Sequence, residues 1–384
     1  MGMLQQFEDA MPFLYRWLEK NASVPIKYRL TREVEGYSKK NPAVQALIKD
    51  LYNYPAALDI LDKQAEDGSW GKSFRGTVTS NKLKTESPYE GIEYQFSRLA
   101  EMGFDKDHRA IQKSAGLLFK YLEDNPKAPL WEARFYLPGN PGAVKWYLRL
   151  MGIISAKLLS MAGYQEDERL REWIISYITR LNEYLESERS KSPYTKYKGK
   201  YIVDEEIMTP GYHLLDILAY NKWLKSGLLG NLFLTKLYNY LSDFPDPPKD
   251  CPTIRYSTIN YEAPDLYVKA GDHIYRGLGI PTPITREQLE TKYRDQIPAV
   301  LKQLEMRARI GFLDREDPVL LWLLSHQDER GIIVIPGHLH KMVGRDTYHY
   351  FPLHSDISGQ GKHVDTTFRT FLIVHYLRRV SKIK

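Results

Sequence analysis

The 384-residue chain reads as an all-α fold of helical hairpins joined by long, partly irregular loops. Three observations predict it. A helix-like run ends in a turn rich in cues for stopping a helix, at Gln64–Trp70. A glycine followed six residues later by arginine recurs along the chain. Behind each arginine, apolar residues return at intervals of three and four, the period of a one-faced helix.

The turn comes first. Ala56 to Lys63 reads as helix, and Gln64-Ala65-Glu66-Asp67-Gly68-Ser69-Trp70 follows it. A glutamine at a helix end can satisfy backbone groups that have lost their helical partners. Gly68 can take the left-handed conformation that stops the helix. Trp70 can lay a large apolar face on the next helix. A looser version runs from Leu320 to Gly331, with Gln327 and Asp328 but no tryptophan.

The repeat comes next. Gly103 leads to Arg109 and a helical pattern from Ile111 to Leu122. Gly163 leads to Arg169 and a pattern from Leu170 to Leu185. Gly277 and Gly279, then Arg286, read as a third and looser copy. A further helix is expected over Leu232–Leu241, and a final one over Asp365–Arg379. A hairpin of this kind cannot bury its apolar face alone, so neighbouring copies stack. The loops Asn125–Gly142, Ser187–Tyr201, Asp243–Pro264 and Gly331–Gly361 are rich in Pro, Gly and Tyr. No linker composition separates them, so one domain over residues 1–384 is expected.

Composition narrows the partners. The net charge of +6 is small for this length, and its basic clusters are short, with no stripe or module for nucleic acid. Cys251 is the only cysteine, so an intramolecular disulfide and a cysteine-based zinc site are both excluded. Residues 1–20 lack the apolar core of a signal peptide, and no apolar run is long enough to span a bilayer. A cytoplasmic protein with no transmembrane segment is expected; peripheral membrane contact stays open. The 28 tyrosines suit either a large core or the wall of a cavity.

A helix closed by Gln, Asp-Gly and Trp resembles the QW repeat of the terpenoid-cyclase and protein-prenyltransferase superfamily. The resemblance, together with a period of roughly sixty residues, implies an (α/α) toroid. In that fold, first helices of the hairpins line the centre and second helices form the outside. It also implies an apolar or isoprenoid-like ligand in an aromatic central cavity, cyclised or isomerised there. The chain departs from the family's signatures. It has no Asp-x-Asp-Asp acid and no Asp-Asp-x-x-Asp magnesium motif, and Asp250-Cys251 is adjacent rather than spaced as a zinc ligand pair. Nothing in the sequence specifies a metal or cofactor.

With those triggers missing, buried single carboxylates or histidines become the candidate acids and bases. Asp204, Glu205 and Glu206 precede a helix candidate at Tyr212–Tyr220, Glu262 and Asp265 precede another, and Asp365 opens the last. For Asp204, Asp265 and Asp365 the plain alternative is a helix cap or first-turn charge. Seven of ten histidines lie beyond residue 325, and His338-Leu339-His340 makes His340 a candidate base. Two further functional classes stand beside the toroid: a carbohydrate-active (α/α) barrel lyase or hydrolase, and a non-enzymatic protein-binding scaffold.

Overall fold

The computed structural model describes residues 2–71, 73–74, 91–123, 141–203, 213–225, 228–256, 261–264, 266–270, 273–276, 286–287, 297–336, 353–354 and 360–381. They are mostly helical. The helices are Met3–Asn21 (α1), Val24–Arg29 (α2), Pro42–Tyr52 (α3), Pro55–Leu61 (α4), Ile92–Met102 (α5), Arg109–Leu122 (α6) and Pro141–Met161 (α7). They continue with Glu168–Glu186 (α8), Glu188–Lys191 (α9), His213–Tyr220 (α10), Leu228–Ser242 (α11), Ile297–Ile310 (α12), Pro318–Leu324 (α13) and Gln360–Ser381 (α14). Among the described residues no helix is long and apolar enough to cross a membrane.

Contacts divide the chain into two compact units. One comprises Met1–Lys63, Ser97–Phe104 and Ile284–Lys384; the other comprises Gln64–Phe96 and Asp105–Pro283. The helix α5 gives its first turns to the second unit and its last turns to the first.

In the first unit, α12 packs along α14, and α1 packs on α13 and α14. In the second, α7 is the hub: α6, α8 and α10 all pack against it. Burial sorts the helices into two classes. One class buries a single stripe. In α8 the stripe is Leu170, Ile174, Tyr177, Leu181 and Tyr184; in α1 it is Leu4, Phe7, Met11, Leu14 and Leu18. The other class is buried on every face: Leu150–Ala162 of α7 and its cap, His213–Ala219 of α10, Val300–Ala308 of α12, and Val364–Val374 of α14. A helix surrounded on all sides normally carries few charges. These four carry several, and those charges form the sites described below.

The Gly-aromatic helix ends fold as expected, and alike. Phe104 N–H donates to the Leu99 carbonyl at 2.9 Å, and Tyr164 N–H to Leu159 at 3.1 Å. Phe312 N–H donates to Arg307 at 2.8 Å, with Gly311 before it. Each is a Schellman cap. A further cap of this kind lies at Gly311, closing α12; Gly277 and Gly279 lie outside the described residues. The next helices start on His108, Asp167 and Asp317, whose side chains accept from Ala110, Arg169 and Val319 N–H.

The Gln64 turn clamps α6 within the second unit. Gln64 Nε2 donates to the Ala110 carbonyl at 2.9 Å and to Ser114 Oγ at 3.0 Å. Ser114 Oγ in turn donates to the Gly68 carbonyl at 2.6 Å. Gly68 has φ +87°, and a Cβ there would lie 2.6 Å from the Lys113 carbonyl carbon, so glycine is required twice over. Trp70 is fully buried beside it. The looser turn at Gln327 repeats the device on α1 in the first unit: Gln327 Nε2 donates to the Met3 carbonyl at 3.0 Å.

Two stretches expected as loops contain strands. Tyr194–Tyr197 (β1) pairs antiparallel with Lys200–Val203 (β2) across Lys198-Gly199, both at positive φ, as a two-residue hairpin needs. Thr253–Tyr256 (β3) pairs antiparallel with Tyr261–Pro264 (β4). Leu266–Ala270 (β5) runs parallel to β2 and antiparallel to His273–Arg276 (β6), giving the order β1-β2-β5-β6. The helical class holds; small sheets decorate it.

Candidate functional site

Two clusters of ionisable side chains lie inside the all-round-buried helices, one in each unit. The second unit holds a quartet. Glu93 sits in the first turn of α5, whose backbone N–H donates to the Phe74 carbonyl at 2.8 Å. Lys157 projects from near the C-terminal end of α7, the only charged residue between Arg149 and the helix end. His213 and Asp216 are three apart on α10, so they share one face. The packing of α10 on α7 brings that face to Lys157. All four are buried: exposure is 1% for Glu93, 0% for Lys157, and 3% for both His213 and Asp216.

Three charge pairs within the quartet are long. Lys157 Nζ stands 3.5 Å from Glu93 Oε1 and 4.0 Å from Asp216 Oδ2. His213 Nε2 stands 3.7 Å from the same Glu93 oxygen. These are ion-pair distances at the long end, beyond a well-formed hydrogen bond. Glu93 is thus the shared neighbour of an ammonium and an imidazole, with a second carboxylate on the far side of the lysine.

The first unit holds a larger network, and it is tight. Arg29 of α2 donates to Glu33 at 2.6 Å, Glu305 at 2.8 Å and Glu101 at 3.2 Å. Arg369 of α14 donates to Glu305 at 3.0 Å and Glu101 at 3.2 Å. Lys302 bonds Glu101, and Arg309 bonds both Glu33 and Glu305. Tyr376 O–H donates to Glu33 at 2.6 Å. Burial opposes ionisation of Glu101, but Lys302, Arg369 and Arg29 outweigh it and hold the carboxyl at about 2. Burial is likewise outweighed at Glu33, where Arg29 and Arg309 hold the carboxyl at about 2, and at Glu305, which is driven well below the ordinary carboxylate value. These glutamates stay ionised because every one is bridged by cations.

Asp365 belongs to the edge of that network. It does not open α14; it is its sixth residue, 1% exposed. Burial raises its carboxyl above the ordinary value, against the pull of Arg369 and the Leu353 N–H. Its Oδ1 accepts from Leu353 N–H at 2.9 Å, and its Oδ2 stands 3.9 Å from Arg369 Nε. That is the environment of a carboxyl tying a loop to a helix.

The other sequence candidates, Asp204, Glu205, Asp265 and His340, lie outside the described residues, as do Glu206 and His338. His354 is described and accepts from Ser23 N–H through Nδ1 at 3.2 Å, pinning a loop within the first unit. Among the described residues no group of three or more His, Cys, Asp or Glu is arranged to hold a metal ion.

The quartet was missed at the sequence level, yet it left a signal. Met151–Met161 is apolar or small throughout except for Lys157, and His213–Tyr220 is apolar except for His213 and Asp216. A lone charge within a run long enough to be buried on all sides must find partners there. Compared with protein-family models, curated proteins and solved structures, the chain matches none.

Proposed function

We propose that the chain is a terpenoid-cyclase-like (α/α) toroid that moves a proton on a small, largely apolar ligand, with Glu93, Lys157, His213 and Asp216 as the acid–base machinery. The observation that carries this is the quartet itself. Two carboxylates, an ammonium and an imidazole are brought together from three helices in a fully buried place. Taking such groups out of water costs several kcal/mol per ion, by order of magnitude. Clusters of this type concentrate where a protein performs acid–base work.

The toroid reading is supported by the two burial classes of helix. α7, α10, α12 and α14 suit the inner layer; α1, α6 and α8 suit the outer one. The quartet then sits on α5, α7 and α10, all first helices of their hairpins, where the resemblance places the ligand.

The chemistry needs no external reagent. A proton passes from the imidazolium of His213 to one carbon of a double bond. A carbocation results, which either rearranges or closes a ring. The Glu93 carboxylate removes a proton from a neighbouring carbon, and that proton returns to His213 across the 3.7 Å between them. Lys157 stands within ion-pair distance of both carboxylates and holds them in place. The products are an isomer or a cycle of the starting molecule, so atoms and charge balance. The carbohydrate reading is less well served, because an ammonium lies between the two carboxylates where a sugar oxygen would have to sit.

Incubation with farnesol in D2O, followed by extraction and mass spectrometry, tests this. Wild-type protein is expected to place deuterium on carbon; Glu93→Gln is expected not to. Absence of label with wild type, or equal label with both, contradicts the reading.

A further inference from the structure

A second site lies in the first unit, between α1 and α14. There a cavity of about 540 Å³ opens to solvent, within the range that holds a small metabolite. Its walls differ. The α1 wall carries Glu8 and Asp9, and the α14 wall carries His375 and Arg378. Met11, Pro12, Val34 and Phe371 form an apolar floor, and Tyr15 closes one side.

The polar atoms of this cavity are unevenly satisfied. Glu8 Oε2 accepts from Arg315 at 2.9 Å, but its Oε1 is buried with no hydrogen-bond partner. His375 Nε2 is also buried with none. Arg378 touches the Met11 sulfur at 3.5 Å, and its side chain is otherwise exposed to solvent. Glu8 therefore offers the cavity one buried side-chain acceptor. Buried polar atoms without partners are uncommon, and a pair of them in one cavity marks a place where a ligand supplies the bonds.

We infer that this cavity binds a zwitterion with an apolar side chain, of the α-amino acid class. Its ammonium is held by Glu8, its carboxylate by Arg378, and its side chain by the floor of Met11, Pro12 and Phe371. Separate anionic and cationic walls select against molecules carrying only one charge. Burial, and then the neighbouring Arg379, push the His375 imidazole down to about 4, with Glu33 opposing and Arg378 and Arg309 reinforcing the fall. At neutral pH the ring is uncharged, so it can donate to the carboxylate or accept from the ammonium without repelling either. The site is independent of the buried quartet and uses none of its residues.

Free L-phenylalanine is the probe, with phenethylamine and hydrocinnamate as its two half-charged counterparts. Calorimetry on the full chain is expected to show phenylalanine binding about tenfold or more tightly than either counterpart, one charge-assisted contact being worth about that factor. Arg378→Gln is expected to remove the advantage over phenethylamine, and Glu8→Gln the advantage over hydrocinnamate. Arg378 is exposed, so its replacement leaves folding intact. The His375 ring signals in the NMR spectrum are expected to move with phenylalanine alone. The inference is overturned if either counterpart binds as tightly as phenylalanine, if none of the three binds, or if both variants keep wild-type affinity.

Discussion

Glu93 and Glu101 stand eight residues apart on one helix, both all but inaccessible, and each enters a different cluster of charge. Glu101 is bridged by Lys302, Arg369 and Arg29, with its best contacts at hydrogen-bond distance. Glu93 faces Lys157 and His213 at 3.5 and 3.7 Å. The same residue type, on the same helix, at the same burial, thus meets two kinds of surroundings. A tight network recovers desolvation by saturating lone pairs, and its members are then fixed. Where charges meet at longer range, each such contact recovers less of that cost. The first arrangement holds a fold together; the second is the one proposed above to move a proton.

The contrast can be broken most forcefully at Arg369, fully buried and shared between Glu101 and Glu305. Arg369→Met leaves two buried carboxylates short of a partner. It is expected to cost about 3–5 kcal/mol, read by denaturant unfolding. An unchanged midpoint would mean the network does not stabilise the first unit.

Acid sharpens the contrast next. Glu33 and Glu101 have carboxyls held near 2, below their unfolded value of about 4.3. A depressed carboxyl stabilises the fold above its unfolded pKa, and that contribution fades as pH falls towards its folded one. Stability is therefore expected to drop between about pH 4.5 and pH 2. In Glu101→Gln part of that slope should vanish, because one of the responsible groups no longer titrates. A slope identical to wild type would assign the acid sensitivity elsewhere.

The smallest effect is expected at Asp365. Its carboxyl is raised by burial, so its ionisation works against the fold as pH rises through the folded value. Asp365→Asn keeps an oxygen for the Leu353 N–H and removes the charge. Thermal unfolding at pH 7 is expected to shift by no more than the equivalent of about 1 kcal/mol, and upward if at all. A clear loss of stability would restore Asp365 as a necessary charge.

The helical class and its caps were legible because they are local. Gly103-Phe104 and Gly163-Tyr164 announce helix ends within six residues, and Asp167 announces the next start. Gln64 and Gly68 likewise speak through a turn and one neighbouring helix. The copy read at Gly277 and Gly279 lies outside the described residues; Gly311-Phe312 announces a further helix end in the same local way. The strands escaped for a different reason. The hairpins β1–β2, β3–β4 and β5–β6 are local, but they are short and lie in stretches rich in Pro, Gly and Tyr; only the pairing of β2 with β5, Tyr201 to Leu266, lies beyond any window of the sequence. The quartet escaped for the same cause: Glu93, Lys157 and His213 come from separate helices. The histidine-rich stretch at His338 and His340 lies outside the described residues.

The most direct test compares Glu93→Gln with Glu101→Gln by denaturant unfolding at pH 7. The two changes are identical in size and shape, and only the surroundings differ. Glu101→Gln is expected to cost about 3 kcal/mol or more, and Glu93→Gln measurably less, because Lys157 keeps Asp216 within 4.0 Å. Equal losses would contradict the division between a network that holds the fold and the cluster proposed to move a proton.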